Sequence, residues 1–381
     1  MKYQVISGDS HIDLGWLPHD LFAANAPSKF QAKAPKVVEI DGRRVWQSDG
    51  VTLAAVAGLG FSGRDKPALG VAQHIDRMFG TGIFDDAASG TLRPTTANLR
   101  IKDQELDGVD AEVLYGILGV GQLLADQALV TFIFQTYNDW VANFCKENPT
   151  RFVGLACIPN HDPQLAAKEL RRSAQIGLRG ADFAVPTAVK PLYHRDWDVL
   201  WATAAECAMP ISFHALGWSP RAPDPAEQQT YDACFKGVRR ALAQISGIEF
   251  LPSIIFSGAC DRFPKFKFVL GECGVSWIPY LLDRMDHDYK DRLHRVLNLS
   301  CSPRELWHRQ GYSTYQTEAS VPDVVHLVGE DNIIWGSDYP HPDGVWPDSK
   351  TVIAENLGTL NERIRRKIVC ENAAKLYGFA N

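Results

Sequence analysis

Four short stretches of the 381-residue chain end in side chains that can hold a metal ion or move a proton. VISGDSH carries Asp9 and His11, MPISFH ends in His214, FKFVLGE ends in Glu272 and NIIWGSD ends in Asp338. Asp9 and His11 stand two apart, so in an extended segment both side chains leave on the same side. Brought to one place, Asp9, His11, His214 and Asp338 form a mixed nitrogen and oxygen set that suits Zn²⁺ or Mn²⁺. Each also has an ordinary reading. A histidine at a strand end often serves only the scaffold, Asp9 or Asp338 can cap a turn, and Glu272 can be a loop charge. Their concurrence at the ends of separate apolar runs argues for a metal site.

Those runs are the elements that must position the set. Short β-branched stretches alternate with amphipathic helical ones, the pattern of a parallel α/β sheet. Strands are expected near Tyr3–Gly8, Val109–Tyr115, Phe152–Ile158, Gly180–Ala184, Pro210–Phe213, Lys267–Gly271, Gly311–Thr314 and Asn332–Gly336. Helices are expected after Asp162-Pro163, an N-cap followed by proline at the first helical position, and after Asp196, where Trp197, Leu200, Trp201 and Ala204 share one face. The expected fold is a (β/α)8 TIM barrel, one domain over residues 1–381. An open doubly wound sheet is the competitor, and the first βα turn lacks its G-x-G-x-x-G fingerprint. Residues 26–98, far longer than a barrel connection, are expected to be an insertion covering the barrel mouth. Within it KVVEIDGRRVWQ is expected to be a hairpin turning at Asp41-Gly42, and LAAVAGLGFSG shows little commitment to helix or strand.

Composition narrows the function. With 39 Lys+Arg against 45 Asp+Glu the formal net charge is −6, and no basic cluster is available to grip a phosphate backbone, so nucleic acid is not expected as a partner. The apolar runs fall short of the ~20 residues that span a bilayer, so no membrane is expected either. Eight cysteines lack any C-x-x-C pair, and polar residues occupy the place of a signal peptide's apolar stretch, so the expected location is cytoplasmic.

Five stretches carry a family likeness: VISGDSHIDL, MPISFHALG, FPKFKFVLGECGVSWIPYLLDRMD, VGEDNIIWGSDYPHPDGVWPDS and ENAAKLYGF. In this order they resemble the amidohydrolase superfamily, and within it the amidohydrolase-related branch that includes aminocarboxymuconate-semialdehyde decarboxylase and the resorcylate-type decarboxylases. The resemblance implies the same barrel, with Asp9 and His11 on the first strand, His214 on the fifth and Asp338 on the eighth as metal ligands. Asp338 would also carry a proton. The fourth strand reads GADFAVPTA, without the lysine that bridges two metals in other members, so one divalent ion is expected, Zn²⁺ first and Mn²⁺ second. At the sixth strand the decarboxylases carry a catalytic histidine, whereas this chain has Glu272-Cys273-Gly274, then Pro279-Tyr280 and Arg284.

A carboxylate cannot donate to an aromatic ring as an imidazolium does. The leading expectation is therefore a hydrolase using metal-activated water on a small, aromatic or cyclic amide or ester-like substrate. The alternative is a non-oxidative decarboxylase of a small aromatic or unsaturated acid. A non-catalytic metal- or ligand-binding paralogue is the third reading. Asp338, Glu272 and His341 are the candidate proton carriers. Arg284, Trp218, Arg221 and Trp346 are candidate contacts to a small-molecule substrate. The resemblance sends Arg284 to the substrate of a neighbouring subunit, which implies a homodimer or higher oligomer; its ordinary alternative is a surface ion pair with Asp283, Asp286 or Asp288.

Overall fold

The computed structural model describes residues 3–58, 73–215 and 221–379. Among them are twelve strands: β1 Ile6–His11, β2 Lys36–Ile40, β3 Arg43–Ser48, β4 Val51–Ala55, β5 Ala111–Tyr115, β6 Phe152–Gly154, β7 Ala156–Cys157, β8 Ala181–Asp182, β9 Ile211–His214, β10 Phe268–Gly271, β11 Gly311–Tyr315 and β12 Ile333–Trp335. β1, β5 and β6 pair in parallel, as do β7 through β12 in chain order. β6 and β7 are halves of one extended segment. At the break Leu155 N–H donates to Leu114 O on the β5 side, and Ala156 N–H donates to Gly180 O on the β8 side.

The ring closes where the chain leaves β12: Asp338 N–H donates to Asp9 O (2.8 Å) and His11 N–H to Tyr339 O (2.6 Å). This is the (β/α)8 barrel expected from the alternation. Its strands are apolar because both faces are covered. Trp197, Leu200 and Trp201 on one outer helix, with Phe183 and Phe213 from the strands beneath, are wholly buried, each worth ~1.5–3 kcal/mol of burial for a large apolar side chain. Asp162 caps helix Pro163–Ile176 as expected, accepting from Gln164 N–H and Leu165 N–H, and Gly177 ends it in the left-handed region. Asp196 differs: it lies inside a 3-10 turn, and the cap is His194, whose ring accepts from Asp196 N–H.

β1 is shifted from its expected place and runs on to His11, so Asp9 and His11 sit within the strand rather than after it. Pairing of Ser10 and His11 with Leu114 and Tyr115 extends it, past an irregularity between Ser7 and Ser10. The polar sequence survives burial because the hydroxyls satisfy one another: Ser7 Oγ lies 2.8 Å from Ser10 Oγ and 3.1 Å from Ser337 Oγ.

Residues 26–98 contain an antiparallel sheet of β2, β3 and β4. Ile40 pairs with Arg43, and Asp41 (φ 52°) and Gly42 (φ 71°) supply the two positive φ values of a type I′ turn. The alanine-rich piece after the hairpin is more ordered than its composition suggested. Val51–Ala55 pairs with β3 as β4, and the remainder from residue 59 lies outside the described residues.

Candidate metal centre

Backbone geometry concentrates the ligand-type residues at one end of the barrel. β1 delivers Asp9 and His11, β9 ends in His214, Glu272 follows β10 directly, and Asp338 stands three residues beyond the end of β12. Both carboxyl residues sit in the left-handed region, Glu272 at φ 52° and Asp338 at φ 57°. Such backbone costs a non-glycine residue on the order of 1 kcal/mol and clusters at functional sites. Gly336 lets this loop pass β1, since a Cβ there would lie 2.5 Å from Asp9 Cβ.

The side chains converge. His11 Nε2 is 3.2 Å from Asp9 Oδ1 and 3.1 Å from Asp338 Oδ1. His214 Nε2 is 3.8 Å from Asp9 Oδ1 and 3.5 Å from Glu272 Oε2, and His341 Nδ1 is 3.0 Å from Asp338 Oδ1. Ligand atoms of Asp9, His11 and His214 lie within 4.8 Å of one another, as do those of His11, Glu272, Asp338 and His341. His11 is common to the two groups, which links Asp9 and His214 through it to Asp338, Glu272 and His341.

Close approach is not hydrogen bonding here. Asp9 Oδ1, His11 Nε2, His214 Nε2 and both carboxylate oxygens of Asp338 are buried without a hydrogen-bond partner. Unpaired buried polar atoms cost ~1–3 kcal/mol each, so a cluster of them directed at one another fits a divalent cation. The donor set, imidazole nitrogen with carboxylate oxygen, is also one such ions accept. The second oxygen of Asp9 is held away from this cluster: Oδ2 accepts from Thr314 Oγ1 (2.6 Å) and Glu272 N–H (3.1 Å).

Electrostatics agree with that fit. Burial raises Asp9, Asp13 and Asp338, yet the neighbouring histidines outweigh it and hold all three below the ordinary carboxyl range. Burial and repulsion from His341 lower His11, but Asp338 and Asp9 carry it up to about 9. His341 is likewise lifted well above its usual value against burial by Asp338 and Asp13. The three ionised carboxylates therefore demand positive charge, which protons supply here and a metal ion could replace. Glu272 goes the other way. Burial, then Asp338, Asp343 and Asp9, push it well above the usual carboxyl value.

Among the described residues, the other candidate contacts are not members of these ligand groups. Arg284, 52% exposed, pairs with Asp288 at 3.1 Å on the helix Ile278–Asp288. Trp346 is buried with Trp16, Met78, Ile83, Phe84 and Tyr339, and its indole N–H donates to Asp103 O. Arg221 is exposed, and Trp218 lies outside the described residues. Sequence reasoning missed Thr314, Asp13 and Arg100. Asp13 continues the i, i+2 alternation of Asp9 and His11 and was legible on that ground. Arg100, fully buried, gave no such signal: its Nε donates to Glu112 Oε2 (2.7 Å) and its Nη1 to His11 O (3.0 Å), tying β5 to the end of β1.

Comparison with known proteins agrees with this geometry. The amidohydrolase family profile matches residues 95–379. Gamma-resorcylate decarboxylase from Polaromonas sp. strain JS666 is 27% identical over 300 residues, covering 73% of this chain and 86% of that protein. The crystal structure of an amidohydrolase from Mycobacterium avium subsp. paratuberculosis superposes with a TM-score of 0.74 at 22% identity, over 99% of this chain and 100% of that one. A dihydroxybenzoic acid decarboxylase from Polaromonas sp. JS666, solved with bound manganese and the inhibitor 2-nitroresorcinol, gives 0.60 at 19% identity, over 99% and 97%. Barrel, clustered ligands and a match over most of the chain lead to one conclusion: the protein belongs to the amidohydrolase family.

Proposed function

We propose that this protein is a metal-dependent, non-oxidative decarboxylase of a small aromatic or unsaturated carboxylic acid, with Mn²⁺ as its ion ahead of Zn²⁺. The hydrolytic expectation gives way to its alternative. The relative described above is a decarboxylase matched over 86% of its length, and the hydrolase reading has no comparable support. Manganese is favoured by the carboxylate-rich donor set and by its presence in the related decarboxylase structure.

The observation that carries the reading is Glu272, a carboxyl with a 14% exposed side chain, 3.5 Å from His214 beside the ligand set. The objection to a glutamate in the histidine's place was that a carboxylate cannot donate. Burial and the neighbouring Asp338, Asp343 and Asp9 answer it in direction, pushing this carboxyl well above its ordinary range and so toward the protonated form.

Asp9, His11, His214 and Asp338 would hold the cation, which when bound would supply positive charge toward an anionic substrate oxygen. The bond between the carboxylate and its carbon then breaks, CO₂ leaves, and the electron pair stays on the carbon. Glu272 delivers its proton to that carbon and regains one from solvent. Asp338 and His341 keep the oxygen side of the substrate in a fixed charge environment. Trp218 and Arg221 are the proposed substrate contacts in this reading, while buried Trp346 packs with Trp16 and Tyr339.

The test is a panel of carboxyl-¹³C hydroxybenzoates and unsaturated acids given to the manganese-loaded protein, with aryl amides and esters in parallel. Release of ¹³CO₂ with no hydrolysis is the expected result. Amide or ester cleavage without CO₂ would restore the hydrolase. Stoichiometric metal with no turnover of any kind would leave the non-catalytic paralogue.

A further inference from the structure

Asp13 stands two residues beyond His11 and outside the ligand set, yet its carboxylate is committed to the site. Its Oδ2 accepts a hydrogen bond from His341 Nε2 at 3.0 Å. The opposite ring nitrogen, Nδ1, lies 3.0 Å from Asp338 Oδ1. The same ring stacks on His11, with centroids 3.9 Å apart and planes 25° from parallel. An imidazole held at one nitrogen and stacked on one face cannot turn about its χ2 axis without losing both contacts.

The ordinary role for an aspartate at this place would be to cap the 3-10 turn Leu14–Trp16 that follows. Its side chain makes no capping hydrogen bond there. The turn is fixed by other means: Ala57 N–H donates to Gly15 O (2.8 Å), and Thr95 Oγ1 donates to Trp16 O (2.6 Å). Residue 15 must be small, since a Cβ on Gly15 would lie 2.6 Å from Ala55 O. Residues of the long segment after β1 therefore clamp the turn that carries Asp13. Asp13 is also the single charged residue, among the described residues, lining a pocket whose walls include Leu14, Leu53, Ala54, Ile117, Val120 and Leu123.

We propose that Asp13 is a positioning residue. It holds the His341 ring so that Nδ1 faces Asp338. The expected loss of turnover rests on the decarboxylase reading above; the hold on His341 does not. Partners that orient residues around a metal site are typically worth 10–100-fold in activity or metal affinity.

The test compares Asp13→Ala and Asp13→Asn with the parent protein, using ¹⁵N-histidine NMR of the metal-free and manganese-free zinc-loaded forms. His341 is assigned by its absence in His341→Phe. In Asp13→Ala the Nε2 resonance of His341 moves, and kcat falls ~10–100-fold with metal content kept. In Asp13→Asn, whose amide oxygen can still accept from Nε2, most of the parent resonance position and kcat return. Added to His341→Phe, Asp13→Ala costs no further kcat, because its effect runs through that ring. An unmoved Nε2 resonance in Asp13→Ala, or an additive loss in the double variant, overturns the proposal. Should the alanine variant not fold, Asp13→Asn alone and in the His341→Phe background carries the same comparison. If no acid is turned over by the parent yet the resonance still moves, the decarboxylase reading fails while the hold on His341 stands.

Discussion

Thr314 spends one hydroxyl on two tasks. It donates to Asp9 Oδ2 and accepts from Glu272 N–H at 2.7 Å, so a single atom sets both the rotamer of a ligand and the strained start of the Glu272 loop. Thr314→Val keeps the shape and removes both bonds. It should cost ~1–3 kcal/mol in denaturant unfolding and weaken metal binding by ~10–100-fold in a competition titration. Glu272→Gln keeps the volume and the buried position but has no acidic proton. Turnover should fall by ~10²-fold or more, with metal content by elemental analysis unchanged. Loss of the metal along with turnover would instead make Glu272 a ligand.

The elements that place these residues are joined by a buried ion pair. Arg100 sits on the helix Ala97–Asp107, reaches Glu112 on β5 and the carbonyl of His11 on β1, and lies over the Tyr339 ring with 4.7 Å between guanidinium and centroid. Glu112 is held from a second side by Gln104 Nε2. Removing one partner of such a pair strands the other charge in the core. Arg100→Ala should therefore lower unfolding free energy by ~3–5 kcal/mol. A second prediction at this scale concerns residues 26–98, which we propose form an insertion without a core of their own. Trp46, Leu53 and Ala54 belong to the barrel's core, and Met78, Ile83 and Phe84 pack with Trp16, Tyr339 and Trp346. The fragment alone should give a circular-dichroism spectrum of an unfolded chain, and a cooperative melt of the isolated piece would refute this.

For the whole molecule, the proposed ion and the fold should be linked. A cation that binds the folded site and not the unfolded chain stabilises by ~2.7 kcal/mol at a hundredfold excess over its Kd. Chelation should lower the Tm of the parent by several degrees and leave His214→Ala, already deprived of a ligand, where it was. Equal shifts in both would place the bound ion elsewhere. Among the described residues no helix is long and apolar enough to cross a membrane, and all eight cysteines are free thiols. We also propose a homodimer, for which exposed Arg284 and Tyr280 on one helix are the available contact. Sedimentation of the parent and Arg284→Ala measures this directly; a monomeric parent would end the shared-site idea.

Local chemistry determined a great deal from sequence alone. Alternating apolar runs and helical faces specify β/α units, because each strand needs both faces covered and each helix one. Asp41-Gly42 specifies its turn, because few residues tolerate two successive positive φ values. The candidate ligands were legible as neighbours because a barrel gathers its strand ends. What remained hidden depends on contacts between residues far apart in the chain. The bond from Thr314 to Asp9 spans 305 residues and that from His341 to Asp13 spans 328. No local pattern encodes either. The upward push on the Glu272 carboxyl was equally out of reach, since it follows from burial among other carboxyls and not from residue type. Only the tertiary structure brings those carboxyls together.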